Sequence, residues 1–138
     1  MTADFRDAHD RHSVDAENLF KASRWANADH LFGLAAECGL KRLMQVFGMT
    51  VNAHGSPTDP SDRKHANDLW ARYETYRVGH YAGTAYGLPD ATPFSNWAVE
   101  QRYANQGGFD KNRVCPHRDG ALAIRQLMSD ALLAGLLE

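Results

Sequence analysis

Three features of the chain predict an all-α fold, a bundle of four or five helices running up and down. Apolar residues recur at spacings of three and four through most of its length. No stretch of useful length alternates apolar and polar residues as a half-buried strand does. Segments dense in glycine, proline, serine and aspartate punctuate the helical runs, as loops between bundle helices do.

The central helix is the clearest element. From Ala26 to Met44 small residues (Ala28, Ala35, Ala36, Gly39) are set among large apolar ones (Leu31, Phe32, Leu34, Leu40, Leu43, Met44), without a proline. Small residues let a neighbouring backbone approach closely, so this helix is expected to be buried, with Gly39 at a close contact. Glu37 and Lys41 stand at i,i+4 in the favourable order, a pair that stabilises an exposed helix by only about 0.2–0.5 kcal/mol. The helix should end near Phe47-Gly48, the glycine supplying a left-handed cap.

A first helix is expected from about Asp4 to Ser23, with Phe5, Ala8, His12, Ala16, Leu19 and Phe20 on one face. Arg24, Trp25 and Asn27 mark the turn of a helical hairpin with the central helix. Gly48 to Ser61 reads as a long surface loop. Ser61 or Asp62 then caps a third helix carrying Ala66, Leu69, Trp70, Tyr73, Tyr76 and His80, which frays at Gly79 or Gly83. After a second loop, Ser95 is the expected N-cap of a short fourth helix with Trp97, Val99, Gln101, Arg102 and Tyr103, broken by Gly107-Gly108. The last helix begins between Asp110 and Pro116, proline being tolerated in a first turn, and presents Ala121, Ile124, Leu127, Met128, Ala131, Leu132 and Leu136.

At 138 residues the chain is read as one domain, 1–138, with enough length to bury a core. A net charge of −2 gives no general attraction to nucleic acid, so any such binding must come from a local patch. The 11 arginines against four lysines lean toward bidentate ion pairs or phosphate contacts. Two cysteines, Cys38 and Cys115, make no disulfide scaffold, and no stretch approaches the roughly 18 apolar residues of a membrane span. A soluble, cytoplasmic protein is the expectation.

Four segments in order resemble the HEPN domains, named for higher eukaryotes and prokaryotes nucleotide-binding, in their small stand-alone bacterial form. They are Asp15-Ala16-Glu17-Asn18-Leu19-Phe20, Ala28 through Lys41 with its Ala35-Ala36-Glu37-Cys38-Gly39-Leu40-Lys41 core, Lys64-His65-Ala66-Asn67-Asp68-Leu69, and Gln101-Arg102-Tyr103-Ala104-Asn105. The resemblance spans nearly the whole chain. It implies a helical bundle that dimerises, and a role as a metal-independent RNase, an RNA-processing domain or the partner of a minimal nucleotidyltransferase. Fold alone does not choose among these.

Catalytic members of that family resemble one another in an arginine followed, four to six residues on, by a histidine late in the bundle. Here Arg6 to His12 and Arg24 to His30 fit the spacing, about as many matches as chance supplies, and both lie in the N-terminal hairpin. The family-like Arg102 is followed by no histidine, so a site built on it must be composite, with His65 or His80 brought up in space. Arg24, His30, His65, His80 and Arg102 are thus the catalytic candidates, and Arg102, Tyr103, Trp97 and His65 the binding candidates. Arg102 reads equally as a phosphate ligand and as an arginine paired with an acid such as Glu100, whereas for His30 and His65 the structural or capping reading is the favoured one. The aromatic residues Trp70, Tyr73, Tyr76, Tyr81, Tyr86, Trp97 and Tyr103 are either core or stacking platforms. Asp7, His9, Asp10 and His12, Cys115 with His117, and the loop residues His54, Asp59 and Asp62 lack the paired spacing of a zinc site, so no metal and no cofactor are expected.

The leading expectation is a HEPN-like binding or regulatory module, a homodimer linked to nucleotide or RNA metabolism in a defence or toxin–antitoxin setting, with a nucleotidyltransferase as candidate partner. The alternatives are a metal-independent endoribonuclease toxin of the same fold, and a helical adaptor that binds protein and no nucleotide.

Overall fold

The computed structural model describes residues 1–138 and holds four α-helices, with a single isolated bridge, Val51 to Pro57, as its only β pairing. The helices are α1 (Phe5–Lys21), α2 (Trp25–Val46), α3 (Ala66–Val78) and α4 (Lys111–Leu133); 3₁₀ turns lie at Pro60–Asp62, Gly83–Tyr86, Val99–Tyr103 and Gln106–Gly108. No helix is long and apolar enough to cross a membrane.

The helix ends follow from local chemistry. Asp4 accepts a hydrogen bond from the Asp7 amide at the start of α1, and Asp110 accepts one from the Arg113 amide at the start of α4. α2 ends as expected at Phe47, where Gly48 takes φ +116° and the Gly48 and Met49 amides turn back to the Gln45 and Met44 carbonyls. α1 closes in the same double-bonded way, the Ser23 amide to Phe20 and the Arg24 amide to Leu19, but here a serine holds the left-handed position at φ +59°.

α2 is the axis of the fold and packs against each of the other three helices. One hydrophobic cluster joins Ala16 of α1, Phe32, Leu40, Leu43 and Met44 of α2, Leu69 and Tyr73 of α3, and Val114, Ile124 and Met128 of α4. Gly39 lies at the expected close approach: a Cβ there would stand 2.5 Å from the Ile124 methyl and 2.7 Å from His9 Nδ1. Gly33 is tighter still, with the Trp97 indole 1.9 Å from where its Cβ would be.

Several expectations need correction. The residues after Ser95 do not form an α-helix: Ser95 caps nothing, and Val99–Tyr103 is a 3₁₀ turn. That segment is held by side-chain bonds to α2 rather than by its own ladder. α3 starts four residues beyond Asp62, with His65 as N-cap, because the buried Asp62 carboxylate is taken by Arg72 and the Tyr76 hydroxyl. His80 lies beyond the end of α3, at Val78. Pro116 falls in the second turn of α4, where its missing N–H forgoes one helical bond on an exposed face. The inward face of α1 is led by His9, Ser13 and Ala16, a small rotation from the expected one. The Glu37–Lys41 pair forms as its i,i+4 spacing predicts, 3.0 Å apart, and it is buried rather than screened by solvent.

Candidate functional site

The start of α2 carries the most distinctive surface. Its N-cap is Arg24, a side chain with no acceptor to offer, so nothing caps the first turn. The first bond of the helix is from the Ala28 amide to the Arg24 carbonyl, which leaves the Trp25, Ala26 and Asn27 amides without a protein acceptor. These amides border a groove of about 320 Å³ whose opposite wall is Gln101, Arg102, Gln106 and Phe109. Arg24 and Arg102 both line it, and neither is within 4.0 Å of a carboxylate, as the ion pairs elsewhere are. Two free guanidinium groups and three free amides at the positive end of a helix dipole make a site for an anion, and guanidinium pairs with phosphate geometry in particular. Beside it the Arg102 guanidinium stands 4.8 Å over the exposed Tyr103 ring.

The Arg102 wall is irregular chain, and a single buried residue of α2 fixes it. Asp29 is fully buried; its Oδ1 accepts from His117 Nδ1 at 2.5 Å and its Oδ2 from Gln101 Nε2 at 2.7 Å. The Asp29 main-chain carbonyl accepts from the Trp97 indole at 3.0 Å. His117 in turn stacks on Phe94, and its Nε2 lies 2.7 Å from Asn96 Oδ1, while Arg113 donates to the Asn96 carbonyl. Asp29 thus ties the Phe94–Gln101 segment and α4 to α2, one residue before Arg102. Removing the Asp29 carboxylate would leave the His117 and Gln101 donors of this buried network without their acceptor, at about 1–3 kcal/mol for each group left unpaired, which makes Asp29 the positioning residue of the groove.

His30, the next residue of α2, lies against the same segment. Its ring stacks on Trp97 with centroids 5.8 Å apart and planes 12° from parallel, and its Nδ1 is buried without a partner. Burial pushes the His30 pKa below its ordinary value, and the positive charge of Arg102 lowers it further. The Arg102 charge is felt at His30, whose ring stacks on Trp97 of the segment that leads to Arg102. A neutral imidazole can accept a proton from a hydroxyl while a guanidinium holds a phosphate. His12 faces the same region from α1, its pKa lowered by burial and by Arg11, with His30 contributing.

The structure therefore brings together Arg24, Arg102, His30, Trp97 and Tyr103, and leaves two candidates outside. His65 bonds Glu37 Oε1 at 2.9 Å, joining the buried Glu37–Lys41 pair, and is half-exposed. His80 packs between Phe47 and Tyr81 beyond α3, among residues of a different part of the fold. Trp70, Tyr73, Tyr86 and Trp97 belong to the core, so most of the aromatic cluster is structural. No group of three or more His, Cys, Asp or Glu side chains is placed to hold a metal ion. A larger cavity of about 460 Å³ beside Trp70 and Leu88 carries Asp68, Glu74 and Asp90, the wrong sign for phosphate.

Asp29, Asn96, Gln101, Arg113 and His117 were not candidates from the sequence. Two signals were there: Asp29 breaks the apolar row that runs through Phe32, Ala36 and Leu40, and His117 does the same between Val114 and Ala121. A charged or imidazole side chain on a buried helix face needs a partner, and these two are each other's. Compared with known proteins, the chain matches no family model, no curated protein and no solved structure.

Proposed function

We propose that this chain is a HEPN-like helical module that binds the phosphate of a nucleotide or of RNA in the groove between the start of α2 and Arg102, as a homodimer in a cytoplasmic defence or toxin–antitoxin setting. The observation that carries the reading is the meeting of Arg24 and Arg102, 78 positions apart in the chain, with no carboxylate on either and an uncapped helix start between them. With a net charge of −2, no diffuse basic surface supplies this attraction; the groove does. The test is the binding of fluorescein-labelled single-stranded RNA, and separately of ATP, followed by anisotropy and calorimetry as a function of salt. Arg24→Gln and Arg102→Gln should each weaken RNA binding and reduce the slope of log K against log salt by about 0.7, the share of one phosphate contact. If neither RNA nor ATP binds, the reading falls and a helical adaptor takes its place.

One observation favours a second reading, a metal-independent endoribonuclease: His30, its pKa lowered by burial and by the charge of Arg102, stacks on Trp97 of the segment that leads to Arg102. In that chemistry His30 takes the proton of the ribose 2′-hydroxyl, the oxygen attacks the adjacent phosphorus, and the 5′-oxygen leaves, giving a 2′,3′-cyclic phosphate. Cleavage in EDTA that is lost in His30→Ala, with cyclic phosphate ends, supports it; RNA that binds but stays intact rejects it. The resemblance also implies the dimer and a nucleotidyltransferase partner. A solution mass near 15.4 kDa by light scattering would refute the dimer. The aromatic surplus no longer argues for it, since those side chains fill the core.

A further inference from the structure

The cavity of about 460 Å³ between α3 and the loop of residues 88–92 plays no part in the phosphate reading, and its chemistry is of the opposite sign. One wall follows from the sequence of α3. Asp68, Ala71 and Glu74 recur at intervals of three along one side of the helix, and the small Ala71 leaves room between the two acids. The facing wall is loop, and contacts from α3 and the core hold it in place. The Trp70 indole donates to the Pro89 carbonyl at 2.8 Å, the Tyr73 hydroxyl donates to the Tyr86 carbonyl at 2.6 Å, and Trp70 packs on the buried Phe94 with ring centroids 6.2 Å apart. Trp70 and Tyr73 both belong to α3, so the two walls are fastened to each other and the cavity is preformed.

Trp70, Leu88 and Pro89 give the cavity an apolar side, Asp68, Glu74 and Asp90 give it carboxylates, and no Arg, Lys or His lines it. Glu74 already takes Arg77 on both of its oxygens. Neither Asp68 nor Asp90 has a cation within 4.0 Å, unlike the acids of the ion pairs elsewhere. Asp68 stands in the first turn of α3, where the helix dipole suits a carboxylate; Asp90, in the loop, has no such reason. A cleft of one sign beside an apolar wall concentrates the opposite charge. Other occupants leave something unmatched: an anion meets the wrong sign, a neutral apolar molecule strips water from the carboxylates without replacing it, and a bare metal ion finds no group of three ligating side chains. We propose that this cavity binds an aliphatic diamine or polyamine: one ammonium pairs with Asp68 on α3, another with Asp90 on the facing loop, and the methylene chain between them lies along Trp70 and Leu88.

The test is titration of the tryptophan-labelled protein with putrescine, following the indole N–H resonances by NMR, with butylamine, butanediol and magnesium chloride at equal ionic strength in parallel. The three tryptophans report separately: Trp70 lines this cavity, Trp25 lines the arginine groove, and Trp97 lies in the core. A saturable shift at Trp70, with Trp25 and Trp97 unmoved, is expected with putrescine, at about tenfold lower affinity with butylamine, and not at all with butanediol or magnesium. Asp90→Asn, at an exposed loop position, should bring putrescine down to the affinity of butylamine. The proposal is overturned by the lack of a saturable shift at Trp70, by one that butanediol or magnesium reproduces, by putrescine binding no tighter than butylamine, or by an Asp90→Asn protein that binds as the parent does. Failure here leaves the phosphate reading standing, since a ligand of that groove would move Trp25 instead.

Discussion

Gly33→Ala is the smallest change expected to damage both the fold and the groove. The added Cβ would lie 1.9 Å from Trp97 Cε2 and 2.1 Å from its Nε1, so the indole must withdraw by about 1.5 Å to regain an ordinary contact. α2 cannot yield instead, because it is packed against all three other helices. The lower bound on the cost is the overpacking penalty of about 1–3 kcal/mol, with about 1 kcal/mol more for the lost bond from the indole to the Asp29 carbonyl. The upper bound is expulsion of Trp97, about 3–5 kcal/mol for a buried tryptophan. Alanine's helix propensity returns about 1 kcal/mol. The net expectation is a destabilisation of about 1–4 kcal/mol, read as a shift in the urea midpoint. RNA affinity should fall too, since Trp97 holds both His30 and the chain leading to Arg102. A Gly33→Ala protein as stable as the parent would refute the packing of Trp97 on α2 and the placement of the groove wall that depends on it.

Three further outcomes follow from the same geometry. Gly39→Leu should destabilise by about 1–3 kcal/mol or more, because Ile124 and His9 already sit inside contact distance of the new side chain; an unchanged urea midpoint would show that this face of α2 is open. Ser23→Gly should leave stability equal or raise it by up to about 1 kcal/mol, since φ +59° strains a serine and not a glycine; a clear loss in the thermal midpoint would contradict this. His9, His12 and His30 all have pKa values lowered first by burial, so below about pH 6.5 the unfolded chain takes up protons that the folded one refuses. Their contribution is fully present above that pH and is lost as pH falls toward the folded values. The thermal midpoint should therefore drop between about pH 7 and pH 5, and His12→Gln and His30→Gln should flatten that drop.

The parts of this fold legible in the sequence are those governed by local rules. Helical spacing gave the all-α class; Gly48 marked the end of α2, Asp110 the start of α4, and Gly39 a close approach. Long-range partners decided what remained hidden. Ser23 takes a glycine's place at the end of α1 because the turn into α2 requires it, and serine gives no sign of a left-handed backbone. Spacing alone does not say whether Glu37 and Lys41 face solvent, because it is the same on either face of a helix, and only packing buries them. For the site, the residue types were in view in Arg24, His30 and Arg102, but their meeting depends on Asp29 fastening an irregular segment whose own pattern imitates a helix.

The Asp29 junction also bears on how the groove comes and goes. Its bonds span 68 residues to Trp97, 72 to Gln101 and 88 to His117, and the last of these cannot form until α4 has docked. The α1–α2 hairpin, by contrast, is made of contacts close in sequence, and such contacts form early. Arg24 is in place as soon as that hairpin closes, whereas Arg102 arrives only with the long-range closure of its segment on α2. The chain from Phe94 to Asp110 carries two of the 3₁₀ turns and no α-helix, so it is expected to open at lower free energy than α2 itself. Its amides should exchange with deuterium ahead of those of α2, and an opening confined to it would separate the two arginines while the hairpin stays folded. The proposed phosphate site would then be a property of the closed native state alone, and a ligand bridging Arg24 and Arg102 would slow exchange across a segment it barely touches.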